Sequence, residues 1–292
     1  RGRLAQANLP RTIRIFSFHS CMGYILLACK IYVKNYTIVP LNPQGWLGVF
    51  RQKSFLFVWA DVCYTFFKRN RPALGRERGA AAMAQHTVGF IGFGNMAQAM
   101  AKGFLQAGVL EGAQIAACAK RWEKLEKTAG ELGVIPCKDA VEVLERSDIL
   151  ILAVKPYLIE TVLAPIREKL AGKVLLSVAA GWPFQRFEEV LPAEVHHLSI
   201  MPNTPVAIGE GIVLLEEENS LSPQELSQAK ELLAALGVVE TVPSAQMGIA
   251  GTVAGCGPAY AALFLEALGD AGVYHGLPRE LSYRLAAQML AG

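Results

Sequence analysis

One short stretch limits what this chain can fold into more than any other: "TVGFIGFGNMAQAMAKGF", residues 87–104. An apolar, β-like run stops at Gly92, a second glycine follows at Gly94, and a helix-period pattern then begins. This order predicts a buried strand, a tight turn and an amphipathic helix over residues 95–108. The letters "GFGNMA" fit the pattern G-x-G-x-x-G/A, which is informative where it joins a strand to a helix.

Such a turn suits the pyrophosphate of a dinucleotide. Gly92 permits the sharp change of direction, Gly94 lets the backbone approach the phosphates, and Ala97 keeps the helix close to the strand. The N-terminus of the helix then presents unpaired N–H groups to the anion. A plain corner between a strand and a helix, with no ligand, is the alternative that this stretch alone leaves open.

Short β-like runs alternate with helix-period segments after this turn. The predicted strands cover residues 87–92, 114–119, 133–137, 148–154, 173–179 and 195–202. The predicted helices after the first cover residues 121–132, 138–146 and 222–236. This alternation predicts an α/β fold with a Rossmann-type, doubly wound parallel sheet. From about residue 245 the chain is helical and Ala-rich, which predicts a second, all-helical domain.

The first 82 residues differ from the rest in composition. They hold 13 Lys and Arg against two acidic residues, whereas residues 83–292 hold 15 basic and 23 acidic residues. Their apolar run at 13–33 is interrupted by polar residues, which makes it a poor membrane span. A targeting extension, a small domain, and upstream DNA translated in frame before a start at Met83 are the three alternatives. We favour the third.

These observations give the expected domain boundaries. Residues 1–82 form an extension outside the functional protein, disordered or non-native in structure. Residues 83–243 form the dinucleotide-binding domain. Residues 244–292 begin the helical domain, which we expect to be incomplete because the sequence ends in mid-pattern.

The cysteines and histidines give no metal-ligand pattern. The six cysteines form no C-x-x-C pair and have no His at ligand spacing, so we expect no metal. His196 and His197 are adjacent in a predicted strand and should point to opposite faces. Three cysteines after Met83, an odd number, favour free thiols in a reducing cytoplasm. No nucleic-acid-binding motif accompanies the basic N-terminal segment, so we expect neither a nucleic-acid nor a membrane partner.

The end of the second predicted strand bears on the choice of cofactor. Folds that select NAD place an acidic residue there to bind the ribose 2′-hydroxyl. Lys120 and Arg121 stand here instead, with no acidic residue before Glu123. Two cations suit a 2′-phosphate, so we expect NADPH, with NADH as the alternative. The alternative is that Lys120 and Arg121 are solvated residues at a helix start that contact no cofactor.

Small or polar groups follow each of the later predicted strands. "ILAVKP" ends with Lys155 and Pro156, "SVAAGWP" leaves room for a flat ring, and "MPNTP" places Asn203 in a rigid loop. "AGCGPAY" starts a helix whose N–H groups suit a carboxylate. Because ligands bind at the carboxyl ends of strands in open α/β sheets, we expect one shared site. Cys256 has no evident His and acidic partners, so we expect it to be a small wall beside the ligand.

Six segments run in order from residue 88 to residue 289: "GFIGFGNMAQAMAKG", "AVKP", "SVAAG", "MPNTP", "GCGPAY" and "EALGDAGVYHGLPRELSYRLAAQ". As an ordered set they resemble the pyrroline-5-carboxylate reductase family. The resemblance implies an NAD(P)H-dependent oxidoreductase that acts on a C=N bond. Such an enzyme reduces 1-pyrroline-5-carboxylate to L-proline by hydride transfer, the last step of proline biosynthesis. It also implies a helical domain that interlocks between subunits, hence a homodimer or a larger homo-oligomer.

Carried over residue by residue, and joined to the two cations above, the resemblance implies two sets of binding residues. The cofactor-binding set is Gly92, Phe93, Gly94, Asn95, Met96, Lys120, Arg121, Ala153, Val154, Lys155, Pro156, Ala180 and Gly181. The substrate-binding set is Asn203, Gly255, Cys256, Gly257 and Pro258. Lys155 and Asn203 are the candidates for placing the reacting groups, and no proton donor is assigned.

Three departures from the family pattern stand out. The family usually has serine at the position of Cys256. An Asp-Ala-x-Thr pattern is common before that loop, where this chain has "GIAGT" over residues 248–252. A later Ser/Thr-Pro-Gly-Gly-Thr-Thr stretch, implicated in substrate binding, is absent because the sequence ends at Gly292. This leaves open whether a chain that ends there is active.

Two other classes of protein share part of the pattern. Another NADPH-dependent imine or β-hydroxyacid reductase would share the first domain. A hydroxyacid enzyme should carry a catalytic Lys in its long helix, however, and residues 244–283 contain no Lys. A non-catalytic dinucleotide-binding protein would keep "GFGNMA", but the combination of "MPNTP" and "GCGPAY" argues against that class.

Overall fold

A computed structural model describes residues 86–291, which form an eight-stranded sheet followed by three helices. The strands are β1 Val88–Ile91, β2 Ile115–Cys118, β3 Ile135–Cys137, β4 Ile149–Leu152, β5 Val174–Ser177, β6 His196–Pro202, β7 Gly211–Glu216 and β8 Gly237–Val242. The α-helices are α1 Asn95–Ala107, α2 Trp122–Leu132, α3 Ala140–Glu145, α4 Ile159–Leu163, α5 Phe184–Glu188, α6 Pro223–Ala234, α7 Met247–Ala254, α8 Gly257–Tyr274 and α9 Arg279–Ala291. The predictions for residues 1–82 fall outside the described residues.

The first strand–helix unit forms as the glycine pattern predicts. β1 is buried along its whole length, and α1 places Met100 and Phe104 in the core. The helix ends where Gly108 adopts a left-handed backbone with a φ of 68°. Farther along, a capping box starts α6: Ser222 accepts a hydrogen bond from the Glu225 N–H, and the Glu225 carboxylate accepts one from the Ser222 N–H.

The strands lie in the order β3-β2-β1-β4-β5-β6-β7-β8. β1 to β6 are parallel, which confirms the doubly wound sheet for these six strands. β7 departs from the prediction, since it runs antiparallel to β6 and places Leu215 opposite Ile200. β8 then pairs parallel to β7. The strand–helix alternation does not predict β7 because only a 3₁₀ turn, Thr204–Ile208, separates it from β6.

Helices cover both faces of the sheet. β4 lies at its centre with all four residues buried, and its side chains alternate between the two sides. Ile151 joins the cluster that packs against α1 and α6, whereas Leu150 joins the cluster that contains Phe187 of α5. Burial on both sides explains why this strand is an uninterrupted apolar run in the sequence.

His196 and His197 point to opposite faces of β6, as predicted. Nδ1 of His196 lies 2.7 Å from the Glu225 carboxylate, and Nε2 of His197 lies 2.6 Å from the Glu188 carboxylate. The His197 side chain is 2% exposed, and its Nδ1 has no hydrogen-bond partner among the described residues. Burial therefore lowers the pKa of His197 below its ordinary value, although Glu188 and, more weakly, Glu216 oppose this shift.

The same buried histidine anchors the segment that follows β5. The ring of Phe184 stacks on His197 with the centroids 4.8 Å apart. The Phe184 N–H donates a 2.9 Å hydrogen bond to the carboxylate of Glu216, which is only 1% exposed. Ser199 also donates a 3.1 Å hydrogen bond to the Trp182 carbonyl. Because Phe184 begins α5, these contacts fix where the chain goes after it leaves the carboxyl end of β5.

The buried imidazole makes stability depend on pH. Below pH 6.5, the ordinary pKa, the unfolded chain binds a proton that the folded chain accepts only at lower pH. The contribution of the neutral His197 to the free energy of unfolding is therefore fully present above pH 6.5. It is lost as the pH falls from there toward the lowered pKa of the folded state. His197→Gln should cost about 1–2 kcal/mol at neutral pH through lost packing and hydrogen bonding. It should also flatten the pH dependence of the urea unfolding midpoint between about pH 7 and about pH 5.

The matched control is His196→Gln, which removes a half-exposed imidazole from the neighbouring position of the same strand. Unfolding profiles of the wild type and of His197→Gln that stay parallel over the whole window would contradict this account of His197.

Candidate active site

Gly92 joins the carboxyl end of β1 to the segment that follows β4. Its N–H donates a 3.0 Å hydrogen bond to the Cys118 carbonyl, and the Ala153 N–H donates a 2.8 Å bond to the Ile91 carbonyl. Gly92 has a φ of +94°, and a Cβ built there would lie 2.7 Å from the Ala153 oxygen and 2.8 Å from Val154 Cγ1. The turn therefore requires glycine for its conformation and for this close approach. β1 and β4 are the strands at which the order of the sheet reverses, where ligands bind in such folds.

Gly94 leaves open space at the start of α1. It is the N-cap residue, it makes no side-chain capping hydrogen bond, and a Cβ built on it would meet no protein atom within 4 Å. Gln98 stabilises the turn, because its side-chain amide donates a 2.9 Å hydrogen bond to the Phe93 carbonyl. The free N–H groups of the first helical turn and the open space beside them fit a pyrophosphate.

Phe93 differs from its neighbours in the turn. Its side chain is 5% exposed and packs edge-on against Phe90, with the ring centroids 5.7 Å apart. The predicted role of Phe93 in cofactor binding therefore falls to its backbone, since its side chain belongs to the core. Asn95 is exposed and Met96 half-buried on the first turn of α1.

Lys120 and Arg121 follow β2 at the same edge of the sheet. Both side chains are exposed, and neither forms an ion pair within residues 86–291. Arg121 is the N-cap residue of α2, so the two cations border the start of that helix. The nearby Cys118 is buried, which raises the pKa of its thiol to about 11 and keeps it protonated.

Small residues and one exposed lysine occupy the carboxyl ends of β4 and β5. Lys155 is exposed, and Pro156 begins a 3₁₀ turn. After β5 the Ser177 hydroxyl accepts a 3.3 Å hydrogen bond from the Ala179 N–H. The chain then turns at Gly181, which has a φ of +75° and no protein atom within 4 Å of a built Cβ. Ala180 and Gly181 therefore leave a flat, open wall at this edge.

Asn203 follows β6 and lies buried, with 5% of its surface exposed. Its amide nitrogen donates a 3.0 Å hydrogen bond to the Ala254 carbonyl, and its amide oxygen accepts a 2.9 Å bond from the Ile212 N–H. A direct contact between this side chain and a substrate stays a prediction. The structure shows an amide that links β7 to the end of α7.

The four other residues predicted to face the substrate join α7 to α8: Gly255 and Cys256 form the turn between the two helices, and Gly257 and Pro258 are the first residues of α8. Because Ala254 lies against Asn203, this turn lies beside the carboxyl end of β6. Cys256 is exposed, and its carbonyl accepts a 3.0 Å hydrogen bond from the Ala259 N–H as α8 begins. Within residues 86–291 no three His, Cys, Asp or Glu side chains group as metal ligands would.

The structure thus brings the predicted residues to one edge of the sheet, from Lys120 on β2 to the turn beside β6. The sequence pattern does not identify three supporting groups: Gln98 under the glycine turn, Glu216 at the start of α5, and Met201 against α7. Gln98 is four residues after Gly94, a spacing at which its side chain can reach back to the turn. Glu216 had no signal, because it belongs to β7, which, like β8, is not among the predicted strands.

Two family models match the chain. Residues 87–181, which span β1 to β5, match the family described as NADP oxidoreductase, coenzyme F420-dependent. Residues 244–292, which contain α7 to α9, match the family described as pyrroline-5-carboxylate reductase dimerisation. The two matches fall on the two parts of the chain that the sequence separates near residue 245.

Several known pyrroline-5-carboxylate reductases match most of the described residues. The pyrroline-5-carboxylate reductase of Treponema pallidum (strain Nichols) is 44% identical over 209 residues, covering 70% of this chain and 79% of that protein. Pyrroline-5-carboxylate reductase 3 of Macaca fascicularis is 34% identical over 214 residues, covering 73% and 78%. The crystal structure of Plasmodium falciparum pyrroline carboxylate reductase with NADP bound matches with a TM-score of 0.66 at 31% identity, covering 71% and 77%. The chain belongs to the pyrroline-5-carboxylate reductase family.

Proposed function

We propose that this edge of the sheet reduces 1-pyrroline-5-carboxylate to L-proline with NAD(P)H, the last step of proline biosynthesis. One observation carries the proposal: an uncapped helix N-terminus and an open glycine turn lie at the β1–β4 switch of a family member. The related Plasmodium falciparum structure contains NADP. The protein is therefore an oxidoreductase that acts on a C=N bond.

The cofactor's parts fall to different residues. Gly94 and the first N–H groups of α1 hold the pyrophosphate, with the backbone of Gly92 and Phe93 beneath it. Lys120 and Arg121 hold a 2′-phosphate, which favours NADPH over NADH. A third group of residues borders the nicotinamide half: Ala153, Val154, Lys155, Pro156, Ala180 and Gly181.

The substrate lies between this wall and the segment of residues 255–258, which joins α7 to the start of α8. The Gly257 N–H at the start of α8 binds its carboxylate, and the exposed Lys155 adds a positive charge at the same edge. When bound, the nicotinamide supplies the hydride that reduces the C=N bond at C5 of the ring. The chain's own residues orient the two reactants, and that is a large contribution to the rate of a bimolecular reaction.

The last three helices indicate how the subunits assemble. Residues 244–292 match a dimerisation region, which indicates a homo-oligomer. In the single chain, Gly269 is the one residue of α8 that is buried. The apolar side chains that a single chain leaves exposed on α7, α8 and α9 are Ile249, Val253, Tyr260, Leu263, Phe264, Tyr274, Leu285, Met289 and Leu290. A face of this size is typical of an interface, so we assign it to a second copy of the chain in a homodimer or larger assembly.

The stretch Ser244–Tyr274 is long and apolar enough to cross a membrane by length and composition. Glu266 and Asp270 lie within it, however, and the turn at Gly255 and Cys256 separates α7 from α8 inside it. A protein interface accounts better for these features. The buried free thiols of Cys118 and Cys137 suit a reducing compartment, so we assign the enzyme to the cytoplasm.

The proposed reaction is tested with the full-length protein, NADPH and pyrroline-5-carboxylate. We expect NADPH oxidation that depends on the imine, with one L-proline formed for each NADPH consumed. A β-hydroxyacid with NADP⁺ and an acyclic imine with NADPH serve as competing substrates, and each should turn over far more slowly. Absence of turnover above background with pyrroline-5-carboxylate, from protein that binds NADPH, would overturn the assignment.

The two glycines of the turn separate folding from cofactor binding. Gly94→Ala should leave the thermal midpoint near the wild-type value, because its Cβ meets no protein atom, and yet weaken NADPH binding where the pyrophosphate approaches. Gly92→Ala should destabilise the fold by about 1–3 kcal/mol through strain at positive φ and overlap with Ala153. Fluorescence titration with NADPH and thermal unfolding of both variants make the comparison. Unchanged NADPH affinity in Gly94→Ala would place the pyrophosphate elsewhere.

The two cations after β2 set the cofactor preference. The double variant Lys120→Ala with Arg121→Ala should lower kcat/KM for NADPH about 10- to 100-fold, because charge-assisted bonds to the 2′-phosphate are lost. The value for NADH should change by less than about twofold, since NADH lacks that group. Lys124→Ala with Lys127→Ala, two exposed lysines of α2, is the matched control. Equal losses with both cofactors would remove the two cations from the 2′-phosphate site.

A further inference from the structure

Asn203 connects the edge of the sheet to α7. This helix precedes the substrate turn, which consists of Gly255 and Cys256 together with the first residues of α8. Two of its hydrogen bonds tie it to β7, one from its own N–H to the Ile212 carbonyl at 3.2 Å and one from the Ile212 N–H to its side-chain oxygen at 2.9 Å. Its side-chain nitrogen then donates to the Ala254 carbonyl at 3.0 Å. Ala254 is the last residue of α7, next to Gly255, so this bond ends one residue before the turn.

A second contact reaches the same turn from the strand before Asn203. The sulfur and methyl group of Met201 fill the space that a Cβ would take at Gly251. The Gly251 carbonyl in turn accepts hydrogen bonds from the Gly255 N–H at 2.8 Å and the Cys256 N–H at 3.2 Å. Met201 therefore packs against Gly251, and the Gly251 carbonyl fixes Gly255 and Cys256 through these two hydrogen bonds.

Both contacts originate at the carboxyl end of β6. That end lies at the same edge of the sheet as the carboxyl end of β5, because the two strands are parallel with Ser177 opposite Ser199. The segment "MPN", which is the last two residues of β6 and the residue after them, thus holds α7 at two points, 201 to 251 and 203 to 254. Neither contact involves the turns after β1, β2 or β4, to which the cofactor is assigned.

We propose that Asn203 is a positioning residue, which together with the Met201–Gly251 contact sets the height of the substrate turn over the nicotinamide wall. This inference rests on the proposed function, since it concerns how the imine is held. Asn203 acts through the backbone of Ala254, and the turn itself binds the substrate carboxylate. Loss of the link should therefore displace the substrate and leave the cofactor in place.

Asn203→Asp isolates the link to α7. The aspartate keeps an oxygen that accepts from the Ile212 N–H but loses the donor to the Ala254 carbonyl. We expect KM for pyrroline-5-carboxylate to rise about tenfold or more, on the scale of a buried hydrogen bond that is lost. The dissociation constant of NADPH should change by less than about twofold. The thermal midpoint of the variant shows how much of any loss comes from unfolding.

Gly251→Ala tests the second contact without a change of charge. The added methyl overlaps the Met201 sulfur, so α7 must move away from the sheet or Met201 must shift. We expect the same selective rise in KM for the imine. Adding Met201→Ala to Gly251→Ala should restore KM toward the wild-type value, because it removes the overlapping sulfur. Met201→Ala alone is the matched control for loss of the thioether.

The outcomes distinguish a positioning role of Asn203 from direct contact with the substrate and from a purely structural role. A selective rise in KM for the imine in both variants, with rescue of Gly251→Ala by Met201→Ala, supports the positioning role. A rise in Asn203→Asp with an unchanged KM in both Gly251→Ala and Met201→Ala indicates direct contact with the substrate and overturns it. Lower thermal midpoints with unchanged kinetic constants per folded molecule indicate a structural role only and also overturn it. A wild-type enzyme that binds NADPH without reducing pyrroline-5-carboxylate overturns the proposed function, and this inference falls with it.

Discussion

The close approach of Gly92 to the backbone after β4 is the constraint on which the cofactor edge depends. A Cβ at Gly92 would overlap the Ala153 oxygen, so only glycine lets the ends of β1 and β4 lie side by side. The Gly92 N–H is bonded at the same time to the Cys118 carbonyl, which draws in the end of β2. Three strand ends thus converge on one residue without a side chain. The groups assigned to the phosphates and to the ribose follow β1 and β2, and the group assigned to the nicotinamide follows β4 together with β5.

A second constraint operates where β5 and β6 end. The buried Glu216 carboxylate accepts the Phe184 N–H at the start of α5, and His197 stacks beneath the same phenylalanine. The Phe184 N–H satisfies one oxygen of this buried carboxylate, whereas Oε1 has no hydrogen-bond partner among the described residues. Breaking the Phe184 bond would leave both oxygens unsatisfied, so this contact holds the chain after β5 in one place. The open wall at Ala180 and Gly181 owes its position to this contact, although neither residue takes part in it. The site is therefore built largely from backbone, with charged side chains at its borders.

The sequence predicts most of the fold because its signals are local. The glycine turn, the apolar run of β4 and the capping box of α6 each specify their element through nearby residues, and the observed bounds agree closely. β7 is different, since its pairing with β6 is antiparallel and follows a short 3₁₀ turn instead of a helix. The links from Met201 to Gly251 and from Asn203 to Ala254 are equally invisible to pattern analysis. Each joins residues about fifty positions apart, and no periodicity encodes such a contact.

α8 joins the substrate turn to the proposed interface, and this has a physical consequence. The helix begins at Gly257, immediately after the residues that Gly251 holds, and its apolar face at Leu263 and Phe264 is exposed in a single chain. Burying that face against a second copy restricts the helix along its length, whereas the sheet edge restricts its first turn. The Gly257 N–H, to which we assign the substrate carboxylate, is then fixed from both directions. Such restraint reduces the ordering that binding would otherwise require, which is why an assembled subunit provides a better preorganised substrate site than an isolated one.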